Sequence, residues 1–297
     1  VDEEADVNEV SGHGRPVDEF VLAYDRSGEG PAVVLLHGWP GDRTDYAEVA
    51  PRLAGRADVV VPDLRGFGAS DKHPRDPAEA YGVDAQARSV IALIEELGIE
   101  RPVIGGYDIG SRIGQHVART RPDLVRALVL APPLPGTGDR VLEPAAIEEF
   151  WYQSFHHLPL IDRLVDGRPE AVRAYLEHFW THWAGPGFAP SDERLDHLVA
   201  VYGGRGAFTA SIAWYRSRTS MIARSLAERS PAPSDRIGAP TTVLWPDGDP
   251  LYPRAWSDRL DGFFSDVTLS ELDGVGHFVP VEAPEAFAEA VATALGA

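Results

Sequence analysis

Residues 103–114 read VIGGYDIGSRIG, a short apolar run that breaks into glycines around one aspartate. A strand that turns sharply into a helix needs small residues two before and two after the apex, because side chains there collide in the strained turn. Gly106 and Gly110 supply them around Asp108, and Gly105 and Gly114 add room for close packing. This is the spacing Gly-x-nucleophile-x-Gly, with Asp at the apex. Alone, the pentapeptide also fits a plain Gly-Asp turn, so its meaning depends on what surrounds it.

Working outward, Ala32 to Leu36 (AVVLL) is apolar on both faces, as a buried parallel strand is. Val59–Val61 ends at Pro62-Asp63. Val83 to Leu97 places Val83, Ala87, Val90, Ile91, Ile94 and Leu97 on one helical face, closed by Gly98. Ala127–Leu130, Thr241–Trp245 and Val267–Leu272 read as further strands, and Ala283–Ala294, with Pro284 in its first turn, as the final helix. Strand and helix in alternation predict an α/β fold with a mostly parallel sheet covered on both faces. Residues 1–16, acidic and aperiodic, read as a tail. The alternation fails over 137–228, where the chain is helical and aromatic-rich (FWYQSFHHL, AYLEHFWTHWA, AWYRSRTSMIA) between the Pro-rich stretches PPLPGTGD and RSPAPSDRIGAP. An inserted helical lid is expected there, on a core formed by 1–136 and 229–297.

The 297 residues allow one large or two modest domains at roughly 150 residues each. With 27 Lys plus Arg against 46 Asp plus Glu, the formal net charge is −19, which makes nucleic acid and anionic membrane poor partners. The absence of cysteine excludes disulfides, thiolate zinc sites, iron–sulfur clusters and a Cys nucleophile. Lys72 is the only lysine, so Schiff-base chemistry has one candidate, in a loop beside Pro74. No apolar run approaches the roughly 18 residues that span a bilayer, and the acidic start from Val1 to Glu9 is the opposite of a basic secretory leader. A cytoplasmic location is expected.

Context strengthens the reading of Asp108. Trp245–Tyr252 (WPDGDPLY) follows a strand with two acids, Asp247 and Asp249, and Val275–Phe278 (VGHF) follows the last strand with His277. Nucleophile, acid and His in that order, each just beyond a strand's carboxyl end, is the order of the α/β-hydrolases. Upstream, His37-Gly38-Trp39-Pro40 also follows a strand, so the main-chain NH groups of Trp39 and Ile109 make a plausible oxyanion hole. His37 itself reads as a structural hydrogen-bonder. His178 and His182 share a helical face at a spacing that can bind metal, but no third ligand follows, and solvated or packed histidines are the better reading.

Beyond these residues, the chain resembles the α/β-hydrolase-fold epoxide hydrolases, the soluble bacterial type in particular. HGWPG at 37–41, VPDLRGFGAS at 61–70, the Asp elbow, WYQSFHHL at 151–158, WYR at 214–216, DPLYP and GHF carry the likeness, which covers nearly everything after residue 16. VPDLRGFGAS is shared with dehalogenases and supports the fold only. The resemblance implies attack by Asp108 on an epoxide carbon, an alkyl ester on the enzyme, and hydrolysis by water that His277 activates. A carboxylate of ordinary pKa near 3.9 needs no base to attack. The pattern of an acid directly before Pro-apolar-aromatic-Pro selects Asp249 over Asp247 as the partner of His277. Tyr152 and Tyr215 are implied as proton donors to the epoxide oxygen, with Tyr175 and Tyr202 as the competing lid tyrosines.

Two positions depart from the pattern: Tyr107 stands where His is common before the nucleophile, and Ile109 where Trp or Phe is common after it. The second removes an aromatic wall and also bears on the rivals. Haloalkane dehalogenases need a halide-donating Trp after the nucleophile and fluoroacetate dehalogenases an Arg, and Ile109 is neither. Attack of an Asp on a carboxylic ester would give an anhydride, which disfavours an esterase. A ligand-binding protein of this fold without turnover needs no nucleophile, acid and His together. The expectation is therefore a cofactor-free, metal-free epoxide hydrolase whose partners are water and a small neutral, apolar or aromatic epoxide. A second copy of the chain is left open as an assembly partner.

Overall fold

The computed structural model describes residues 9–217 and 221–296. One sheet organises them. Its strands are β1 (Glu9–His13), β2 (Ala23–Ser27), β3 (Ala32–Leu36), β4 (Asp58–Pro62), β5 (Val103–Gly106), β6 (Ala127–Leu130), β7 (Thr241–Pro246) and β8 (Val267–Leu272), in the spatial order β1-β2-β4-β3-β5-β6-β7-β8. From β4 to β8 every neighbour runs parallel, and β3, β5 and β6 are buried almost throughout, which is why they read as unbroken apolar runs. Leu36 pairs with Gly106 and Gly106 with Leu130. The carboxyl ends of β3, β5 and β6 thus lie side by side, and the loops beyond them share one edge of the sheet.

The tail reading of 1–16 is corrected over part of its length. Residues 1–8 lie outside the described residues, but Glu9–His13 forms β1, antiparallel to β2, which in turn pairs antiparallel with β4. These strands left little trace in the hydrophobic pattern because β1 is an exposed edge held by backbone hydrogen bonds, for which apolar side chains are not required.

Helix α1 (Val83–Glu96) buries the predicted Val83, Ala87, Val90 and Ile94, and α2 (Asp108–Thr120) follows β5 directly. Between β6 and β7 the regular elements among the described residues are helices, apart from an isolated bridge at Ile237. They include α3 (Trp151–His157), α4 (Pro169–His182), α5 (Asp192–Tyr202), α6 (Ala213–Arg216) and α7 (Met221–Ala227), before α8 (Pro284–Gly296) closes the chain after β8. This inserted helical region grips the loop after β3 at several points. Arg194 of α5 donates to Asp45 at 2.9 Å, His197 contacts Asp42 at 2.7 Å, the Tyr202 hydroxyl donates to the Gly41 carbonyl, and Trp180 Nε1 donates to the Pro40 carbonyl at 3.3 Å. Among the described residues, no helix is long and apolar enough to cross a membrane.

Candidate active site

Asp108 opens α2 with φ +49°, a left-handed conformation rare for a non-glycine residue and one that aims its carboxylate out of the end of the sheet. Only small neighbours allow the turn. A Cβ on Gly110 would lie 2.0 Å from the Leu36 carbonyl oxygen, and one on Gly106 would lie 2.7 Å from the Gly110 backbone. The Asp108 NH donates to the Pro132 carbonyl at 2.9 Å, which pins the apex to the loop after β6.

Three loops converge on this carboxylate. Asp108 Oδ1 accepts from the Trp39 main-chain NH at 2.8 Å. Oδ2 lies 3.4 Å from His277 Nε2, an ionic contact rather than a well-made hydrogen bond. On the far side of the ring, His277 Nδ1 is 2.8 Å from Asp249 Oδ2, while the other Asp249 oxygen accepts from the Leu251 NH at 2.8 Å. Nδ1 is therefore the donor to Asp249, which leaves Nε2 facing Asp108. Asp247 is exposed and accepts from the Gly274 NH at 2.7 Å, away from the histidine. Ile109 is the first residue after the apex, where a helix leaves its main-chain NH groups without intrahelical acceptors.

His277 is fully buried, and burial alone would hold it neutral, but Asp249 and Asp108 together push its pKa up to about 10. Two positioning groups escaped the sequence reading. Glu282 accepts from the NH groups of Gly276 at 2.8 Å and Phe278 at 3.0 Å, on either side of His277, and from Gly185 in the inserted region at 2.7 Å. Trp183 accepts the His277 NH through its carbonyl at 2.8 Å and sets its indole 5.2 Å from the imidazole. Neither residue sits in a motif. Their signal is a fold of the chain that brings the end of α4 onto the histidine loop.

Tyr152 of α3 and Tyr215 of α6 meet above Asp108, with ring centroids 5.5 Å apart and nearly perpendicular. Burial, then the Asp108 charge for Tyr152 and the neighbouring phenol for Tyr215, raises both pKa values well above the usual phenol range. Tyr152 stacks parallel to Trp39 at 5.9 Å, and Gln153 Nε2 donates to its hydroxyl at 3.3 Å. The competing tyrosines point elsewhere. Tyr175 is hydrogen-bonded to His156 Nε2 at 3.0 Å, and Tyr202 to Gly41 as above. The Tyr107 hydroxyl donates to buried Asp45 at 2.6 Å, so the departure before the nucleophile braces the loop that carries Trp39.

The space these groups enclose is lined by Asp108, Ile109, Tyr152, Tyr215, Tyr252 and Arg112, among others, and amounts to about 20 Å³, enough for about one water. A larger molecule needs more room than this space offers. Roomier clefts, of about 660 Å³ beside Arg52 and Glu289 and about 410 Å³ beside Asp18 and Arg88, lie on the open surface away from Asp108. They lack its convergence of charge and donors. His37 is structural in form: Nδ1 donates to the Gly38 carbonyl at 2.9 Å and Nε2 accepts from the Leu64 NH at 3.0 Å. The His178 and His182 rings stack at 5.5 Å, and among the described residues no three His, Cys, Asp or Glu gather as metal ligands.

Residues 31–284 match the family model described as the alpha/beta hydrolase fold. The chain belongs to the α/β-hydrolase fold family. Within it, the chain is 28% identical to the soluble epoxide hydrolase of Corynebacterium sp. (strain C12) over 287 residues, covering 93% of this chain and 94% of that protein. It is 27% identical to haloalkane dehalogenase 2 of Mycobacterium tuberculosis, covering 93% of this chain and 91% of that protein. Among solved structures, an α/β-hydrolase epoxide hydrolase from hot-environment metagenomes superposes with a TM-score of 0.81 at 25% identity, over 97% of this chain and 98% of the other. Identity separates these α/β-hydrolases poorly, so the groups around Asp108 must discriminate.

Proposed function

We propose that this α/β-hydrolase is an epoxide hydrolase converting a small, largely apolar or aromatic epoxide and water into a vicinal diol, with 137–228 as the cap over a core of 1–136 and 229–297. The observation that carries the reading is the pair of buried phenols, Tyr152 and Tyr215, lining the same cavity as the Asp108 carboxylate. A carbon–halogen bond needs a halide acceptor on leaving, whereas an epoxide needs a proton for its oxygen, and phenols supply the second. Ile109 after the nucleophile has no polar side-chain group for a halide.

In the first step Asp108 attacks one epoxide carbon and the ring C–O bond breaks. The oxygen takes a proton from the phenol pair, leaving a hydroxyalkyl ester on Asp108 and a phenolate. Esterification removes the Asp108 charge from beside His277, so its proton is released and the phenol is restored. Neutral His277, held by Asp249, then takes a proton from water, and the hydroxide adds to the ester carbonyl of Asp108. The oxyanion of this intermediate is held by the NH groups of Trp39 and Ile109. Collapse returns the diol, which takes the proton of His277, and the proton left on the Asp108 carboxyl returns to the imidazole.

The test is mass spectrometry of the His277→Gln variant after exposure to styrene oxide. An adduct of epoxide mass on the peptide containing Asp108 is expected, because ring opening survives and ester hydrolysis does not. An unmodified peptide, while the unsubstituted enzyme turns styrene oxide over, refutes the ester mechanism.

A further inference from the structure

Two arginines line the small cavity over Asp108: Arg112, one turn into α2 from the nucleophile, and Arg224, on α7 of the inserted region. Arg112 is buried, donates to the Leu134 carbonyl at 3.3 Å and lies 3.7 Å from Glu228 Oε1. The other oxygen of Glu228 accepts from the Gly136 NH at 2.6 Å. Arg224 is half-buried and, among the described residues, makes no ion pair. It also lines a second cavity, of about 350 Å³, together with Arg119, Arg229, Phe263 and the carboxylates Glu228 and Asp235. Burial first, then the charges of Arg112 and Arg119, push the Arg224 guanidinium down to about 10 in spite of Glu228 and Asp84. In a chain of net charge −19, Arg112 and Arg224 thus place two cations beside the Asp108 carboxylate, with Glu228 as the nearest acid to Arg112.

A guanidinium withdrawn from water without a carboxylate partner is destabilising unless an anion completes it. Arginine's planar fork is suited to grip a carboxylate through two parallel hydrogen bonds. We propose that the substrate of this site is an epoxide whose apolar body ends in a carboxylate, recognised by Arg224 with support from Arg112, and that it enters past Arg224 from the larger cavity. The inference rests on the epoxide-hydrolase reading for the reaction, and it revises the expectation of a neutral substrate: net charge sets the distant field, but the arginines nearest Asp108 set the field that a bound substrate meets.

The experiment compares kcat/KM for styrene oxide and for its para-carboxylate, 4-(oxiran-2-yl)benzoate, in the unsubstituted enzyme, Arg224→Gln and Arg224→Lys. Binding of unreactive 4-vinylbenzoate is measured beside it by calorimetry. The carboxylate is expected to be preferred by about 10- to 100-fold, the effect of one charge-assisted hydrogen bond. Arg224→Gln should collapse that ratio to near one, and Arg224→Lys should keep part of it. A ratio at or below one in the unsubstituted enzyme, or a ratio that Arg224→Gln leaves unchanged, overturns the inference while the epoxide reading stands. Binding of 4-vinylbenzoate without consumption of either epoxide upholds the anion site and overturns the reaction. Halide release from chloroacetate with neither epoxide consumed overturns both.

Discussion

The protonation state of His277 is set by the very charge that the reaction removes, and Asp108→Asn isolates that effect. In the resting site Nε2 lies 3.4 Å from Asp108 Oδ2 and the imidazole pKa is about 10, sustained by Asp249 and Asp108 against burial. At an effective dielectric constant of about 20, a unit charge at that distance contributes ~5 kcal/mol, equivalent to a pKa change of roughly 3.5. Asp108→Asn should therefore bring His277 to about 6.5, with Asp249 still holding Nδ1. Alkylation of Asp108 removes the same charge, so His277 becomes a base at the moment a base is needed. The assay is a pH titration of the imidazole nitrogens by NMR, with the His277 signal assigned by its loss in His277→Gln. A raised histidine pKa contributes stability fully below the unfolded value of about 6.5 and loses it as pH rises through the folded value. Urea unfolding of the unsubstituted protein should thus weaken as pH climbs toward 10, whereas in Asp108→Asn, whose His277 value nearly equals the unfolded one, this loss should largely vanish. A His277 pKa that stays above about 9 in Asp108→Asn would refute the reasoning.

Other consequences are as direct. Asp249→Asn should slow ester hydrolysis by about 10³- to 10⁴-fold through loss of the histidine's tautomer and orientation, so the Asp108 adduct should accumulate, while Asp247→Asn should accumulate none; stopped-flow and mass spectrometry read both. Replacing Tyr152 and Tyr215 together by Phe should lower ring opening by at least about 10²-fold, measured as single-turnover ester formation, and full activity in that variant would place the proton donor elsewhere. Glu282→Ala strands three NH donors around His277; a loss on the order of 3 kcal/mol in urea unfolding is expected, with Glu282→Gln recovering part of it. Arg194→Met leaves Asp45 buried against burial-driven protonation, its pKa already raised to about 6 by burial in spite of Arg194. A cost of up to about 3–5 kcal/mol is expected above the variant's Asp45 pKa, and because loss of Arg194 raises that pKa further above 6, the deficit should narrow as pH falls toward 6 and change little below it.

Much of the fold was legible because its rules are local. AVVLL, the glycines around Asp108 and the amphipathic run from Val83 encode a buried strand, a strained turn and a helix within a few residues of each other. The strand β1 was not legible, since an exposed edge is stabilised by backbone pairing that any sequence can make. In the site, the order of Asp108, the acid pair and His277 could be read along the chain, because each follows a strand that the parallel sheet stacks beside the others.

What the sequence determined by itself is thus the α/β alternation, the nucleophile's turn and the shortlist of acid, base and phenols. The family resemblance pointed to Asp249, Tyr152 and Tyr215 within that shortlist, and tertiary structure decided how they meet. It set Asp249 rather than Asp247 against Nδ1, turned Tyr175 and Tyr202 away from Asp108, clamped the histidine loop with Glu282 and Trp183, and brought Arg224 over the nucleophile. The reason is physical: a turn or a helix is specified by neighbours in the chain, whereas a convergence of side chains from separate loops is specified by the packing of the whole domain, and no spacing along the sequence records it.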